Sequence, residues 1–254
     1  MLITLVLLLT ALPVKAEGWR AELRCAPSAT SPEIAVALRG LWEQGLVPPF
    51  RVAERNRLSL GAQGCVRLPP WLQLSLAWDW LRDENALGEV TMGPGDFRLG
   101  NALYAWRWHG AWLGLGWMVK LPNARDEGEL GTDETDVTIG IHGGWAEGPW
   151  AFTAGLGLSI QGNPLQFANQ DDVVLVEGEG LWMHDWVALD ATVSAALQSD
   201  RNPARIFVGV GTTLGKRWFL RPHGRLGLTP AAADGSAGLE LGYRTGTMRP
   251  SSSR

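Results

Sequence analysis

The stretch WLQLSLAWDW, residues 71–80, alternates apolar and polar side chains with a period of two. One row of alternate positions is apolar, and the other is mostly polar: Leu72, Leu74, Leu76, Trp78 and Trp80 against Gln73, Ser75, Ala77 and Asp79. Successive side chains of a β-strand point to opposite faces of the sheet. A period of two therefore predicts a strand with one apolar face and one polar face.

The same alternation recurs along most of the chain and is equally regular in 57–68, 111–121 and 150–161. We predict about 12 strands, most of them about 10 residues long, which is the length that a tilted strand needs to cross a bilayer. Their expected spans are 34–41, 55–68, 71–81, 96–109, 111–121, 135–145, 149–160, 172–182, 186–197, 205–215, 217–228 and 236–245. The predicted fold class is all-β, an antiparallel up-and-down transmembrane β-barrel. Pro222 fits badly inside its strand, and we expect a β-bulge or a shifted strand boundary there.

The connections between the predicted strands are alternately short and long. Short turns are expected at 69–70, 110, 146–148, 183–185 and 215–216, and long polar loops at 42–54, 82–95, 122–134, 161–171, 198–204 and 229–235. Bacterial barrels have short periplasmic turns and long extracellular loops, so this order also places both ends of the barrel segment in the periplasm. Eight of the 14 tryptophans flank the short turns and predict an aromatic girdle: Trp71, Trp108, Trp112, Trp145, Trp150, Trp182, Trp186 and Trp218.

The charged residues of the strand interiors fall in the polar rows. If the apolar rows face lipid, these charges face the lumen, whereas a soluble β-sandwich would bury the apolar rows. The candidate lumen residues are Arg107, Lys120, Glu177, Glu179, Asp190, Arg221, His223, Arg225, Glu240 and Arg244. They form either a charged constriction that selects solutes, with acidic and basic groups opposed across the lumen, or an ion-paired interior that conducts little.

The N-terminal residues predict export. Leu2–Leu12 is an apolar run of signal-peptide length, and Val14-Lys15-Ala16 places small residues before a cleavage site, so we expect a signal peptide at 1–16. A periplasmic segment at 17–33, the barrel at 34–245 and a polar tail at 246–254 complete the expected organisation. In an exported chain the two cysteines, Cys25 and Cys65, are candidates for one disulfide, and two unpaired thiols are the alternative.

Several functional classes find no support in the sequence. The net charge of −4 and the lack of a basic cluster argue against nucleic-acid binding. The four histidines share no motif, Ser159 does not lie in a Gly-x-Ser-x-Gly turn, and no cysteine or histidine spacing is typical of a metal site. We therefore expect no enzymatic activity, no metal and no cofactor.

The segment from Gly95 to Gly162 carries a resemblance to a known family. It contains Gly95-Asp96-Phe97-Arg98-Leu99 at a strand start, Lys120-Leu121-Pro122 at a strand end, and Leu130-Gly131-Thr132 followed by Asp136. These motifs resemble the outer-membrane barrel family of phenol-degradation, MetA-pathway transporters, and related barrels of unknown function. Asn123-Ala124 stands where that family has Thr-Gly, and Asp133 replaces the second glycine of Leu-Gly-Thr-Gly. The resemblance implies a barrel in the outer membrane and transport of small aromatic compounds.

The sequence thus predicts an outer-membrane channel or transporter for small molecules, including small aromatic or hydrophobic compounds. The expected partners are the lipid bilayer, small solutes and the outer-membrane assembly machinery, although the last strand is followed by a polar tail rather than ending on its aromatic Tyr243. A closed structural barrel without transport and a soluble, tryptophan-rich β-sandwich are the alternatives.

Overall fold

The computed structural model describes residues 33–46, 55–68, 71–124, 130, 135–162, 172–197, 204–229, 232 and 234–245. The regular elements of this part are all β-strands. None of its segments forms an apolar helix long enough to span a membrane. The expected signal peptide at 1–16, the segment up to residue 32 and the tail at 246–254 lie outside the described residues and stay predictions.

Thirteen strands are present in the described part of the chain. They are β1 (Glu33–Leu46), β2 (Arg55–Leu68), β3 (Leu72–Asn85), β4 (Val90–Pro94), β5 (Phe97–Trp108), β6 (Ala111–Leu121), β7 (Asp136–Glu147), β8 (Trp150–Ile160), β9 (Val173–His184), β10 (Val187–Leu197), β11 (Arg205–Leu214), β12 (Trp218–Gly227) and β13 (Gly235–Arg244).

Twelve of these strands close into an antiparallel barrel, as predicted. Each strand pairs with its neighbours in the chain, and the ring closes where β1 pairs with β13, from Ala35 opposite Arg244 to Gln44 opposite Gly235. We call the two ends of the barrel the short-turn end and the long-loop end, after the connections found there. The extra strand, β4, pairs with the part of β3 nearest the long-loop end, and β5 pairs with the part of β3 nearest the short-turn end.

The alternation of side chains divides the barrel wall into two faces. Leu38 is 64% exposed, whereas the next residue, Arg39, is 9% exposed. The outward row of the described side chains is mainly apolar between the two ends of the barrel, with Asn101 of β5 as a polar exception, and its charged members, Arg82, Glu84 and Glu147, lie near the strand ends. The predicted facing of the apolar and polar rows is therefore confirmed.

The predicted spans differ from the observed ones mainly at the long-loop end. β1 continues to Leu46 instead of residue 41, and β3 continues to Asn85 instead of residue 81, because both strands stay hydrogen-bonded beyond their apolar row. β4 was expected to be part of a loop. In β3 the outward positions beyond the apolar row, Arg82 and Glu84, are polar, so the period-two signal disappears while the hydrogen bonds to β2 continue.

Pro222 is accommodated without either of the two expected adjustments. The strand β12 runs continuously through it, and its pairing with β13 is unbroken, with Pro222 opposite Leu239. On the other side, pairing with β11 is interrupted between His223 and Leu220 and resumes in the same register. Proline has no amide hydrogen to donate, so the wall loses ladder contacts at this point without a bulge.

The tryptophans at the short turns do not all face outward. Trp108, Trp186 and Trp218 are exposed, but Trp112 is 7% exposed and lies on the inward face of β6. Including Trp112 in an outward aromatic girdle was therefore wrong. Inside the barrel its ring contacts Tyr104 and His142 edge to face, so it fills the interior at the short-turn end.

A disulfide between Cys65 and Cys25 remains a prediction, because Cys25 lies outside the described residues. Cys65 is buried on the inward face of β2 near the short-turn end, and no described cysteine is a free thiol. A bridge closing a loop of this length would stabilise the folded state by about 3–4 kcal/mol. Mass spectrometry of the non-reduced protein should show a mass two hydrogens below that of the reduced chain, and alkylation of two thiols without reduction would refute the bridge.

Candidate functional site

The inward face of the barrel carries most of its charged residues, and it is the candidate site. Nine of the ten predicted lumen residues have described side chains, and all nine lie on inward positions: Lys120, Glu177, Glu179, Asp190, Arg221, His223, Arg225, Glu240 and Arg244. Arg107 lies in β5, where its backbone pairs with Trp112 of β6, but its side chain lies outside what the structure describes.

Arg221 is the centre of one group of ion pairs. Its guanidinium contacts Asp190 of β10, with Nη2 3.2 Å from Oδ2, and Glu240 of β13, with Nη1 3.1 Å from Oε1. His223 lies beside them, with Nδ1 3.9 Å from the same glutamate oxygen. The arginine on β12 thus connects carboxylates on both sides of its own strand.

A glycine on β11 makes the contact between Arg221 and Asp190 possible. Gly211 lies between Asp190 and His223 in the register of the sheet. A β-carbon on Gly211 would lie 2.6 Å from Oδ1 of Asp190, which is closer than van der Waals contact allows. Glycine therefore gives Asp190 the space to reach across β11 towards β12.

A second group of ion pairs has the same construction. Arg39 of β1 forms two hydrogen bonds with Asp79 of β3, from Nε at 2.9 Å and from Nη2 at 2.5 Å, and Arg98 of β5 contacts the same carboxylate. Gly61 of β2 lies between Arg39 and Asp79 in register, and a β-carbon there would overlap the Asp79 carboxylate. Again an ion pair spans an intervening strand because that strand has glycine at the crossing point.

The two groups meet where the barrel closes. Glu240 of β13 is directly opposite Arg39 of β1, and both side chains are inward. Charges of alternating sign therefore follow the wall from β10 to β5, and we call this set the charge belt: Asp190, Arg221, Glu240, Arg39, Asp79 and Arg98. Of the two alternatives for these charges, opposition across the lumen does not describe Asp190 and Arg221, which are ion-paired along the wall.

Other charged groups are held near the two ends of the barrel. At the short-turn end, the guanidinium of Arg244 lies 4.3 Å from the ring centre of Phe219, and that of Arg67 lies 4.5 Å from the ring centre of Tyr104. At the long-loop end, Arg57 binds Asp83 through two hydrogen bonds of 2.6 Å. Cation–π contact and bidentate pairing both stabilise a guanidinium that has lost water.

The inner wall is unequally accessible around the ring. Inward residues of β1–β3 such as Arg39, Gln63 and Arg67 are buried. Inward residues midway along β8–β10 are half-buried, among them Thr153, Glu177, Glu179, Thr192 and Ser194, whereas those nearer the strand ends, such as Val173 and Ala188, are buried. Thr153 donates a hydrogen bond to Glu179 at 3.3 Å. The middle of β8–β10 is thus a partly accessible stretch of the inner wall, and it carries two carboxylates.

Lys120 belongs to a different arrangement at the long-loop end. Its Nζ lies 2.7 Å from Asp136 and 3.7 Å from Asp96. Asp96 accepts hydrogen bonds from the backbone amides of Asn123 and Ala124, each at 2.9 Å, and Asp136 accepts one from Gly162 at 3.0 Å. The residues that carry the family resemblance therefore hold the ends of loops in place.

Several members of the charge belt were not among the residues predicted for the lumen. Arg39, Asp79 and Arg98 lie on inward positions, and their place in the polar rows was a usable signal. Their importance was hidden because pairing depends on the register of strands that are not neighbours. Gly61 and Gly211 marked the crossing points, but glycine is so frequent here, with 32 residues, that neither position stood out.

Comparison with known proteins supports the fold. No family model matches the chain, and no curated protein matches it in sequence. An outer-membrane channel from Pseudomonas putida F1 is similar in structure, with a TM-score of 0.63 at 14% identity over 91% of this chain and 100% of the other. The translocator domain of the autotransporter NalP from Neisseria meningitidis has a TM-score of 0.56 at 11% identity, over 85% and 89% of the two chains. At these identities the likeness shows a shared barrel fold.

Replacing Gly61 with alanine should weaken the barrel, because the new β-carbon displaces Asp79 from Arg39. We expect a loss of about 1–3 kcal/mol in the free energy of unfolding, as for other overpacked sites. Gly64→Ala is the matched control, since its β-carbon would have no neighbour closer than 3.6 Å. The measurement is the denaturant midpoint of the folded barrel, and equal midpoints for the two variants would contradict the role of Gly61.

Proposed function

We propose that this protein is an outer-membrane channel or transporter for small molecules. The observation that carries the proposal is a closed 12-strand barrel with an apolar outer face and charges on its inner face. Only helices and closed barrels satisfy all backbone polar groups in hydrocarbon. A soluble β-sandwich would bury its apolar row, whereas here residues such as Leu38, Leu115 and Ile141 are half-exposed or more.

The direction of the ion pairs favours passage over a closed interior in a barrel whose size permits either. Eight strands enclose a space that side chains fill, and 16–18 strands leave an aqueous channel, so 12 strands are intermediate. The charge belt follows the wall instead of crossing the lumen, so its pairing does not by itself fill the centre. The half-buried, polar inward residues midway along β8–β10 support a path for solutes there.

Orientation in the membrane follows from the connections and the outward tryptophans. Trp71, Trp108, Trp150, Trp186 and Trp218 are exposed at the short-turn end. Tryptophan prefers the headgroup level of a bilayer, and outer-membrane barrels have short turns on the periplasmic side. We infer that these side chains form a periplasmic girdle, after export through the predicted signal peptide and insertion by the outer-membrane assembly machinery.

We propose small aromatic compounds as the class of solute, on the basis of the motif resemblance in residues 95–162. The proteins of similar fold described above are a channel and a translocator domain, and we propose no enzymatic role for this chain.

An arginine at Leu156 should prevent or weaken insertion. Leu156 lies at the middle of β8 and faces outward, so we expect a cost of about 2–4 kcal/mol at the bilayer midplane. The control is Gly155→Arg, which places the same charge on the inward face, opposite Glu177. Folding into lipid vesicles, followed by denaturant titration, measures the difference. Wild-type insertion of the Leu156 variant together with failure of the Gly155 variant would reverse the proposed facing.

Neutralising the two carboxylates on β9 should change ion selectivity. Glu177→Gln with Glu179→Gln removes negative charge from the accessible wall, so the reversal potential in a salt gradient should shift towards that of anions. Glu147→Gln, which removes a carboxylate from the outer face of β7, should leave it unchanged. Planar-bilayer recording measures this. A conducting barrel whose reversal potential is the same in the double variant would exclude a selective role for Glu177 and Glu179.

A further inference from the structure

One outward position of the barrel is poorly suited to contact with lipid. Asn101 of β5 lies on the outward row, directly opposite Leu74 of β3 on one side and Trp117 of β6 on the other. Its Oδ1 atom accepts no hydrogen bond from any residue in the described part of the chain. A carboxamide without partners in an apolar surrounding costs free energy, so an asparagine that faces lipid destabilises the inserted barrel.

Asn101 lies well inside the wall, away from the headgroups that could hydrogen-bond to it. It is the fifth of the 12 residues of β5, and Trp117 opposite it is the seventh of the 11 residues of β6. Continuing round the barrel, the same row holds Ile139 and Leu158, both exposed on the outer face. Tryptophan prefers the headgroup level, so Trp117 also lies at an unusual depth for a residue that contacts only lipid.

A second polar group on this side of the barrel has the same problem. Nε1 of Trp78, on the outward row of β3, donates no hydrogen bond to any described residue. The ring of Trp78 stacks on that of Phe97, with 6.0 Å between the ring centres, and Phe97 is on the same outward row of β5 as Asn101. We call this outward surface of β3, β5 and β6 the amide face: Leu74, Trp78, Phe97, Leu99, Asn101 and Trp117.

The outward positions on the other side of the barrel have an ordinary lipid-facing composition. Midway along β9 and β10 they are Val176, Gly178, Ala191 and Val193, which are small and apolar. Residues of this kind can contact acyl chains without leaving a polar atom unsatisfied. The combination of a carboxamide with large aromatic rings therefore distinguishes the amide face from the wall at β9 and β10.

A second copy of the same chain has the chemistry that the amide face requires. A carboxamide both donates and accepts hydrogen bonds, so two asparagines brought together by a two-fold axis can bond to each other. Oδ1 of Asn101 is covered in the single barrel, and a change of rotamer presents it to the partner. Trp117 and Phe97 supply the aromatic area that is typical of the centre of an interface. An acyl chain, the alternative occupant, offers no hydrogen bond.

We propose that the amide face is the contact surface of a two-fold symmetric dimer of this barrel in the membrane. The two-fold axis runs along the membrane normal and passes beside Asn101, so that the two Asn101 side chains hydrogen-bond to each other between the barrels. The dimer does not depend on conduction through either barrel, because the amide face lies on the outer surface of the wall.

The dimer is tested by energy transfer between donor-labelled and acceptor-labelled barrels in phosphatidylcholine vesicles, over a series of protein-to-lipid ratios. The wild type should associate, and Asn101→Leu should weaken association by a factor of about three or more. Asn101→Gln, which keeps the carboxamide, should associate more strongly than Asn101→Leu. Val193→Leu, an outward change on β10, should associate like the wild type.

The stability of the dilute barrel separates the dimer from a merely tolerated asparagine. Asn101→Leu removes a polar group from lipid, so it should raise the denaturant midpoint at dilutions where the barrels are monomeric. A raised midpoint with unchanged association would mean that Asn101 contacts only acyl chains, and would overturn the proposal. A wild type that stays monomeric at every protein-to-lipid ratio would overturn it as well.

The position of the interface is tested by an introduced thiol. Asn101→Cys, oxidised in vesicles at high protein-to-lipid ratio, should give a disulfide-linked dimer on a non-reducing gel. Val193→Cys reports random collisions, because Val193 is 48% exposed on the outer face of β10. Both variants keep the two native cysteines, and heat-modifiable mobility shows that both are folded. Equal yields of dimer from the two variants would overturn the assignment of the interface to the amide face.

Discussion

Ionised side chains inside the barrel must find opposite charges, because the interior cannot hydrate them as bulk water does, and much of the arrangement follows from this constraint. A buried charge without a partner costs several kcal/mol, so each strand that carries an inward arginine depends on the carboxylates of its neighbours. The charge belt satisfies this requirement along the wall, through Arg221 with Asp190 and Glu240 and through Arg39 and Arg98 with Asp79. The charge belt in turn depends on the register of the strands, on the positions of Gly61 and Gly211, and on the pairing of β1 with β13.

The same constraint explains why the interior is uneven. Where β1, β2 and β3 meet, the inward side chains are closely packed and almost excluded from solvent, and their charges are paired or stacked on aromatic rings. Midway along β8–β10 the inward residues include the small side chains of Thr153, Thr192 and Ser194, and these are only half-buried. Close packing on one side of the barrel and smaller inward side chains on the other leave more space beside β8–β10 than beside β1–β3.

Most of the fold could be predicted from the sequence, because period-two alternation and the lengths of the connections are local signals. The spans of β2 and β6 were predicted to the residue, and the ring of 12 strands and its facing were predicted as well. The site was predicted only as a set of inward residues. Which of them pair depends on the stagger between strands, as Asp190 and Arg221 show, and no local pattern contains that stagger. Trp112 is a different case. Its position beside a short turn suggested the girdle, but the side of the wall on which it lies depends on which alternate row of β6 it belongs to, and that row faces inward.

The up-and-down order of the strands has a consequence for how the barrel forms. Every ladder of the ring except one joins strands that are close together in the chain, so these hairpins can form early at little cost in chain entropy. The exception is the closing pair, where Ile34 and Thr245 exchange hydrogen bonds across 211 residues of sequence. Formation of this long-range contact requires nearly the whole chain to be in place and carries the largest loop-closure entropy of any ladder in the ring, so we expect closure to come last, with the edges of β1 and β13 unpaired until it occurs.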